Sequence, residues 1–118
     1  MGNFKNSVRL MGNVGETPTV TSLENGKKVA RFSLAVNQNY RDSEGNKQTR
    51  TDWATIVCWD KKAEIVEKYV EQGKRVGIDG QWRSRSYQLE DGNTRYVTEV
   101  KADDIVLLSS SKKNEEEE

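Results

Sequence analysis

Residues 51–87 read TDWATIVCWDKKAEIVEKYVEQGKRVGIDGQWRSRSY, and three patterns follow one another along them. From Thr51 to Trp59 the chain alternates, with Trp53, Thr55, Val57 and Trp59 on one face and Ile56 and Cys58 on the other, the period-two signature of a strand. Asp60 can then cap a helix whose Ala63, Val66, Tyr69 and Val70 form one apolar stripe, and Gly73 can stop it. From Val76 the alternation returns and runs to Tyr87, placing Gln81, Arg83, Arg85 and Tyr87 on a common face. Strand, short helix, strand is the centre of the pattern, and the flanks decide what it belongs to.

Upstream, Val8 and Leu10 open a strand that continues through Asn13-Val14-Gly15, whose glycines suggest a bend of the kind small barrels need at corners. Pro18, the only proline, precedes a short Thr19-Val20-Thr21 strand. Glu24-Asn25-Gly26 signals a turn. Ala30, Phe32, Leu34 and Val36 then face one way and Arg31, Ser33, Ala35 and Asn37 the other. Ser43-Glu44-Gly45-Asn46 reads as the tip of a hairpin returning through Thr51. Downstream, Asp91-Gly92 turns the chain into a last strand, Thr94 to Leu107. The order is three barrel strands, one helix and two strands. That predicts an all-β fold with one short helix, a five-stranded OB-fold Greek-key barrel with long β-hairpin loops. Such barrels bind oligonucleotides on their second and third strands and through their loops.

Composition agrees with a small barrel. Hydrophobic residues make up 33% and charged residues 32% of the 118, so the core must be lean. The expected division is one domain over residues 1–108 and a short acidic tail over 109–118, whose serines, lysines and glutamates are too polar to pack. Formal net charge is zero. Setting aside Lys112, Lys113 and the glutamates Glu115 to Glu118 leaves a small positive surplus on the domain. Lys27, Lys28, Arg31 and Arg41 occur with no acid between Glu24 and Asp42, a local basic surface of the kind that meets phosphate on a nearly neutral protein. Cys58 is the only cysteine, so no internal disulfide forms and a reducing cytosol is the expected compartment. No stretch is long enough to cross a bilayer, and no signal-peptide core is present.

The aromatic residues carry the functional reading. Trp53 and Trp59 share a strand face, and Tyr40 with Arg41 is expected across the hairpin from them. Tyr87 accompanies Arg83 and Arg85 in the later hairpin. Flat rings beside guanidinium groups suit an unpaired nucleic-acid strand, whose bases stack while its phosphates meet the cations. Arg31, Lys61, Lys74 and Arg75 are further phosphate candidates. Trp82 shares parity with Val76 and Ile78, so packing in the core or between subunits is expected of it; Tyr69 and Tyr96 are read as structural. Catalysis finds little to work with. There is no histidine, Cys58 has no imidazole to activate it, and Gly26-Lys27-Lys28 lacks the rest of a P-loop. Asp103 and Asp104 point to opposite faces. No enzyme, cofactor or metal is expected.

These residues together resemble the bacterial-type single-stranded-DNA-binding proteins, from about Ser7 to Leu108. The similarity runs in order through Val8 to Gly15 with Pro18, Asn25-Gly26, Ala30 to Ala35, Tyr40-Arg41-Asp42 and Thr51-Asp52-Trp53. It continues through Trp59 to Glu64 and from Gly73 through Val76 to Gln81. The resemblance implies an OB-fold, a homotetramer, and coating of single-stranded DNA with little sequence preference during replication, recombination and repair. It also implies a cytoplasmic, nucleoid-associated bacterial protein. Stacking residues fall on Tyr40, Trp53, Trp59 and Tyr87, and basic contacts on Arg83, Arg85 and Lys61. Tyr40 and Tyr87 replace larger indoles common in the family, and Trp59 stands where phenylalanine is common. The acidic tail lacks the hydrophobic terminus on which replication and repair proteins anchor. Two alternatives stay open: a dimeric OB-fold module of the primosome type that bridges other proteins, and a barrel that takes RNA.

Overall fold

The computed structural model describes residues 5–108; the tail assigned to 109–118 lies outside the described residues. Six strands and one helix follow in order: β1 Val8–Val14, β2 Thr19–Ser22, β3 Lys28–Arg41, β4 Lys47–Trp59, α1 Lys61–Tyr69, β5 Arg75–Gln88 and β6 Thr94–Leu107. The sheet runs β1-β5-β6-β4-β3-β2, and a further pairing of β1 with β3 closes it into a barrel. Closure removes the free edges that an open sheet would present to other chains.

The six strands make five barrel walls because the first wall is split. β1 pairs antiparallel with β5 from Val8 to Asn13, and its end crosses to β3, with Asn13 opposite Ala35 and Val14 opposite Leu34. After Gly15, β2 continues along β3. Gly12 marks the crossing: a Cβ there would run into the carbonyl oxygen of Ala35. At the other seam β4 and β6 run parallel, Ile56 beside Val100 and Val57 beside Lys101. Between β5 and β6 the register slips at Asp79/Gly80, a bulge that bends the pair as a closed barrel requires. This is the predicted OB-fold.

Inside sit Val14, Phe32, Leu34, Ile56, Cys58, Val76, Ile78, Val100 and Ala102, with Ala63 and Val66 of α1 packed against them. Burying one such Ile or Leu contributes about 1.5–3 kcal/mol. Three details of the helix differ from expectation. Asp60 precedes α1 but its side chain makes no cap; its φ is 53°, and its own amide donates to the carbonyl of Lys28. Tyr69 is exposed, so the apolar stripe ends on Val70 instead. Gly73 lies beyond the last helical residue, with φ 88°, in the turn that leads to β5.

Two ribbons leave the barrel. Between Asn37 and Trp53 every residue except Asp42 is exposed, because the β3–β4 hairpin runs past the core into solvent. On β5 the hairpin does the same from Trp82 to Gln88, while Glu99 and Val100 of β6 stay buried opposite its start. Both tips have the same three-residue turn. The Asp42 amide donates to the Asn46 carbonyl while the Asp42 carbonyl accepts from the Gly45 amide, and Leu89 does the same with Asn93 and Gly92. The φ of 84° at Gly45 and 90° at Gly92 is the left-handed position such a turn demands.

Candidate nucleic-acid interface

Strand register builds one continuous outer face. Directly opposed residues share a face, so Val29, Arg31, Ser33 and Ala35 of β3 lie beside Trp59, Val57, Thr55 and Trp53 of β4. The parallel seam joins Val57 to Lys101. Lys101 lies opposite Gln81, Glu99 opposite Arg83, Val97 opposite Arg85 and Arg95 opposite Tyr87. The predicted Arg31, Trp59, Arg83 and Arg85 are thereby brought around one shallow depression of about 210 Å³. Val57, Ser84, Glu99 and Lys101 complete its lining. Val57 is buried there as a floor beneath the charged groups.

Glu99 is the organising group of this depression. It is only 8% exposed, and each carboxylate oxygen accepts one guanidinium hydrogen bond. Arg31 Nη1 donates to Oε2 at 3.0 Å, and Arg85 Nε donates to Oε1 at 3.1 Å. Charge-assisted bonds of this kind exceed neutral ones in strength. A buried carboxylate stripped of its partners would cost on the order of 3–5 kcal/mol. The same Arg85 guanidinium lies 5.9 Å from the centre of the Tyr87 ring, at the outer reach of a cation–π contact. Arg83 is exposed, and its side chain has no ion-pair or hydrogen-bond partner among the described residues. Lys101 stands 3.7 Å from Asp103.

The rings are open to solvent: Trp53 is 63% exposed, Trp59 39% and Tyr87 42%. Trp53 lies against the backbone of Gly15, where a Cβ would collide with the indole and with Ser33 Oγ. Tyr40 corrects the expectation. It stands opposite Gln48 and shares parity with Phe32, Leu34 and Val36, so it lies on the other face of the ribbon from Trp53 and Trp59. It lines a separate hollow at the ribbon end with Asn39, Arg41, Lys47, Gln48 and Thr49. Arg41, opposite Lys47, keeps the parity of the Trp53 face and donates from Nη1 to the Gly45 carbonyl at 2.8 Å. Lys61 is exposed on the first turn of α1, two residues after Trp59 in the chain but outside the depression.

Trp82 corrects the core half of its reading. It is 56% exposed although Val100 opposite it is buried, because β1 stops pairing with β5 at Gly80 and leaves this stretch uncovered; an exposed ring there is consistent with the packing between subunits also expected of it. Its backbone is pinned by Asn6, whose Nδ2 donates to the Trp82 carbonyl and whose Oδ1 accepts its amide hydrogen. Tyr96, read as structural, is exposed as well. Glu99 and Lys101 went unrecognised among the site residues, although the turn held their signal. With Leu89 paired to Asn93 around Gly92, counting outward sets Glu99 opposite Arg83.

No cluster of three potential metal ligands occurs among the described residues. Burial pushes the Cys58 thiol up to about 12, against a small opposing effect of Lys62, so it stays protonated and unreactive. No helix among the described residues is long and apolar enough to cross a membrane.

Comparison with known proteins agrees with this geometry. The model of the single-strand binding protein family matches residues 5–108. The chain is 36% identical over 111 residues to the single-stranded DNA-binding protein 1 of Chlorobaculum tepidum, covering 93% of this chain and 68% of that one. It is 41% identical over 106 residues to the single-stranded DNA-binding protein of Bacteroides thetaiotaomicron, covering 88% and 66%. The chain thus spans about two thirds of the length of these relatives. Among solved structures, the Plasmodium falciparum SSB complex with ssDNA superposes with a TM-score of 0.81 at 32% identity, over 88% of this chain and 95% of that one. A deletion mutant of the Thermus aquaticus single-stranded DNA binding protein shares the fold, with a TM-score of 0.78 at 19% identity, over 90% and 51%.

Proposed function

This chain belongs to the single-strand binding protein family, and from that premise we propose that its β3–β4–β6–β5 outer face is where it binds single-stranded DNA. The family is one of binding proteins, and the chain is not an enzyme. In this reading Trp53, Trp59 and Tyr87 stack bases. Arg83 and Arg85 meet phosphates, Arg31 adds positive charge within the depression and Lys61 outside it, and Tyr40 contributes a separate stacking position on the β3–β4 ribbon. The observation that carries the proposal is the exposure of three rings on one face, with Trp59 among them lining a depression beside Arg31, Arg83 and Arg85. Bases stack without regard to identity because each has a π-face, so little sequence preference follows. Coating of single strands in replication, recombination and repair, in the cytoplasm and on the nucleoid, is the role this chemistry serves.

A homotetramer is proposed as the working form. An apolar hollow on β1, β5 and β6 supports self-association: Leu10, Met11, Val106 and Leu108 line it, and all but the half-buried Leu10 are exposed. Replication and repair proteins are proposed as partners, and residues 1–108 are proposed as the domain that binds the DNA.

Titration of indole fluorescence with poly(dT), at two salt concentrations and with duplex as competitor, tests the reading. Saturating quenching that resists duplex is expected, and Trp53→Ala should weaken oligo-dT binding by about 1–3 kcal/mol while the barrel stays folded. Equal competition by duplex would instead favour a bridging module whose aromatic face meets protein. A parallel competition between dT and rU oligomers sets DNA against RNA.

A further inference from the structure

At the centre of this cationic face sits an anion. Glu99 is buried, and its two oxygens are divided between Arg31 and Arg85, at 3.0 and 3.1 Å. The three side chains together bear one net positive charge where two guanidinium groups alone would bear two. Arg83, directly opposite Glu99 on β5, has no such partner among the described residues. Both paired arginines remain partly exposed, 39% and 48% at the side chain, so their outward N–H groups still reach solvent. A phosphate that drew either arginine fully away would leave the carboxylate buried with less compensation, which is costly.

We infer that Glu99 limits how many phosphates this face neutralises, and so makes single strands preferred over duplex. The inference rests on the proposed binding of single-stranded DNA by the same face. A duplex carries a charge every ~1.7 Å and is attracted by charge alone, whereas a single strand also stacks on Trp53, Trp59 and Tyr87. Withdrawing charge from Arg31 and Arg85 removes attraction from both polymers but leaves stacking untouched. Duplex loses the larger share of what binds it.

The test is Glu99→Gln, which keeps the shape and removes the charge. Affinities for oligo-dT and for duplex are measured across a salt series. Expected is a salt slope steeper by about 0.7 for oligo-dT and about 0.9 for duplex, with a falling ratio of single-strand to duplex affinity. Unchanged slopes overturn the inference, as does weaker binding of both polymers by a folded variant, which would make Glu99 a mere prop for the arginines. Should the variant fail to fold by circular dichroism, the comparison of Arg31→Gln with Arg83→Gln decides. Arg83→Gln should flatten the oligo-dT slope by about 0.7 and Arg31→Gln by less than half of that; equal flattening overturns the inference. Failure of the unaltered chain to bind poly(dT) would instead defeat the functional reading, which separates the two failures.

Discussion

Trp53 owes its exposed position to a residue with no side chain. Its indole lies where the Cβ of any other residue at position 15 would be, beside Ser33 Oγ. Gly15→Ala should therefore tilt or lift the ring while leaving the core, to which Gly15 does not belong, in place. The expected outcome is oligo-dT binding weakened within the range of one lost stacking contact, about 1–3 kcal/mol, with a changed tryptophan emission maximum. Binding and emission both equal to the unaltered chain would show that the ring has room to spare. In the sequence Gly15 reads as a bend and Trp53 as a stacking ring, with no sign that one makes room for the other. Their contact joins the end of β1 to β4, and no local period encodes a contact between strands so far apart in the chain. Glu99 is the opposite case. An acid amid strand alternation looks like an ordinary solvent-facing residue until the turn at Gly92 fixes its partner across the ribbon as Arg83.

At the scale of elements, the two projecting ribbons depend on their turns, since little core holds them. Asp42 accepts backbone hydrogen bonds from Glu44 and Asn46, both at 2.9 Å, and a side-chain bond from Gln48. The amide of Asn46 foremost holds the Asp42 carboxyl below its ordinary value; desolvation opposes it, and the Glu44 amide and the Gln48 side chain add to the lowering. A carboxyl whose folded value is depressed stabilises the turn above its unfolded value and loses that contribution as pH falls through the folded one. Acidification should accordingly lower the exchange protection of the Glu44 and Asn46 amides while the barrel amides of Phe32 and Ile56 keep theirs. Asp42→Ala should reproduce the loosening at neutral pH. Protection at the tip that is the same at neutral and acid pH, and in the variant, would mean the turn rests on its backbone alone. Strand order, helix position and turn sites were all legible, because each has a local signature: period two, an apolar stripe, a Gly in a polar stretch. Which face a ribbon residue takes was less so. Tyr40 reads naturally beside Trp53, but its even number places it with Phe32 and Leu34. Trp82 reads by parity as interior or intersubunit, and it is exposed because β1 stops pairing with β5 at Gly80.

For the whole molecule, a chain of 13.5 kDa closed on a lean core has little apolar area to leave in water. Even so, Met11 is 51% and Val106 53% exposed beside Leu10 and Leu108. A contiguous apolar patch on a small domain marks a surface meant to be covered, and it lies on β1, β5 and β6, with no residue in common with the arginine depression. Assembly and stacking should therefore be separable. Val106→Glu would bury an unpaired carboxylate in any interface built there, at a cost that association cannot absorb. Sedimentation should show the natural chain as a tetramer and the variant as a smaller species. Short oligo-dT should bind each variant chain with nearly unchanged affinity, because the rings and Arg83 are intact. Long poly(dT) should occupy fewer nucleotides per complex, since a strand wrapped over several chains loses the neighbours that carry it onward. A variant of unchanged mass would place the assembly surface elsewhere. A variant that dissociates and also loses the short oligomer would mean that the binding face needs a second chain to complete it.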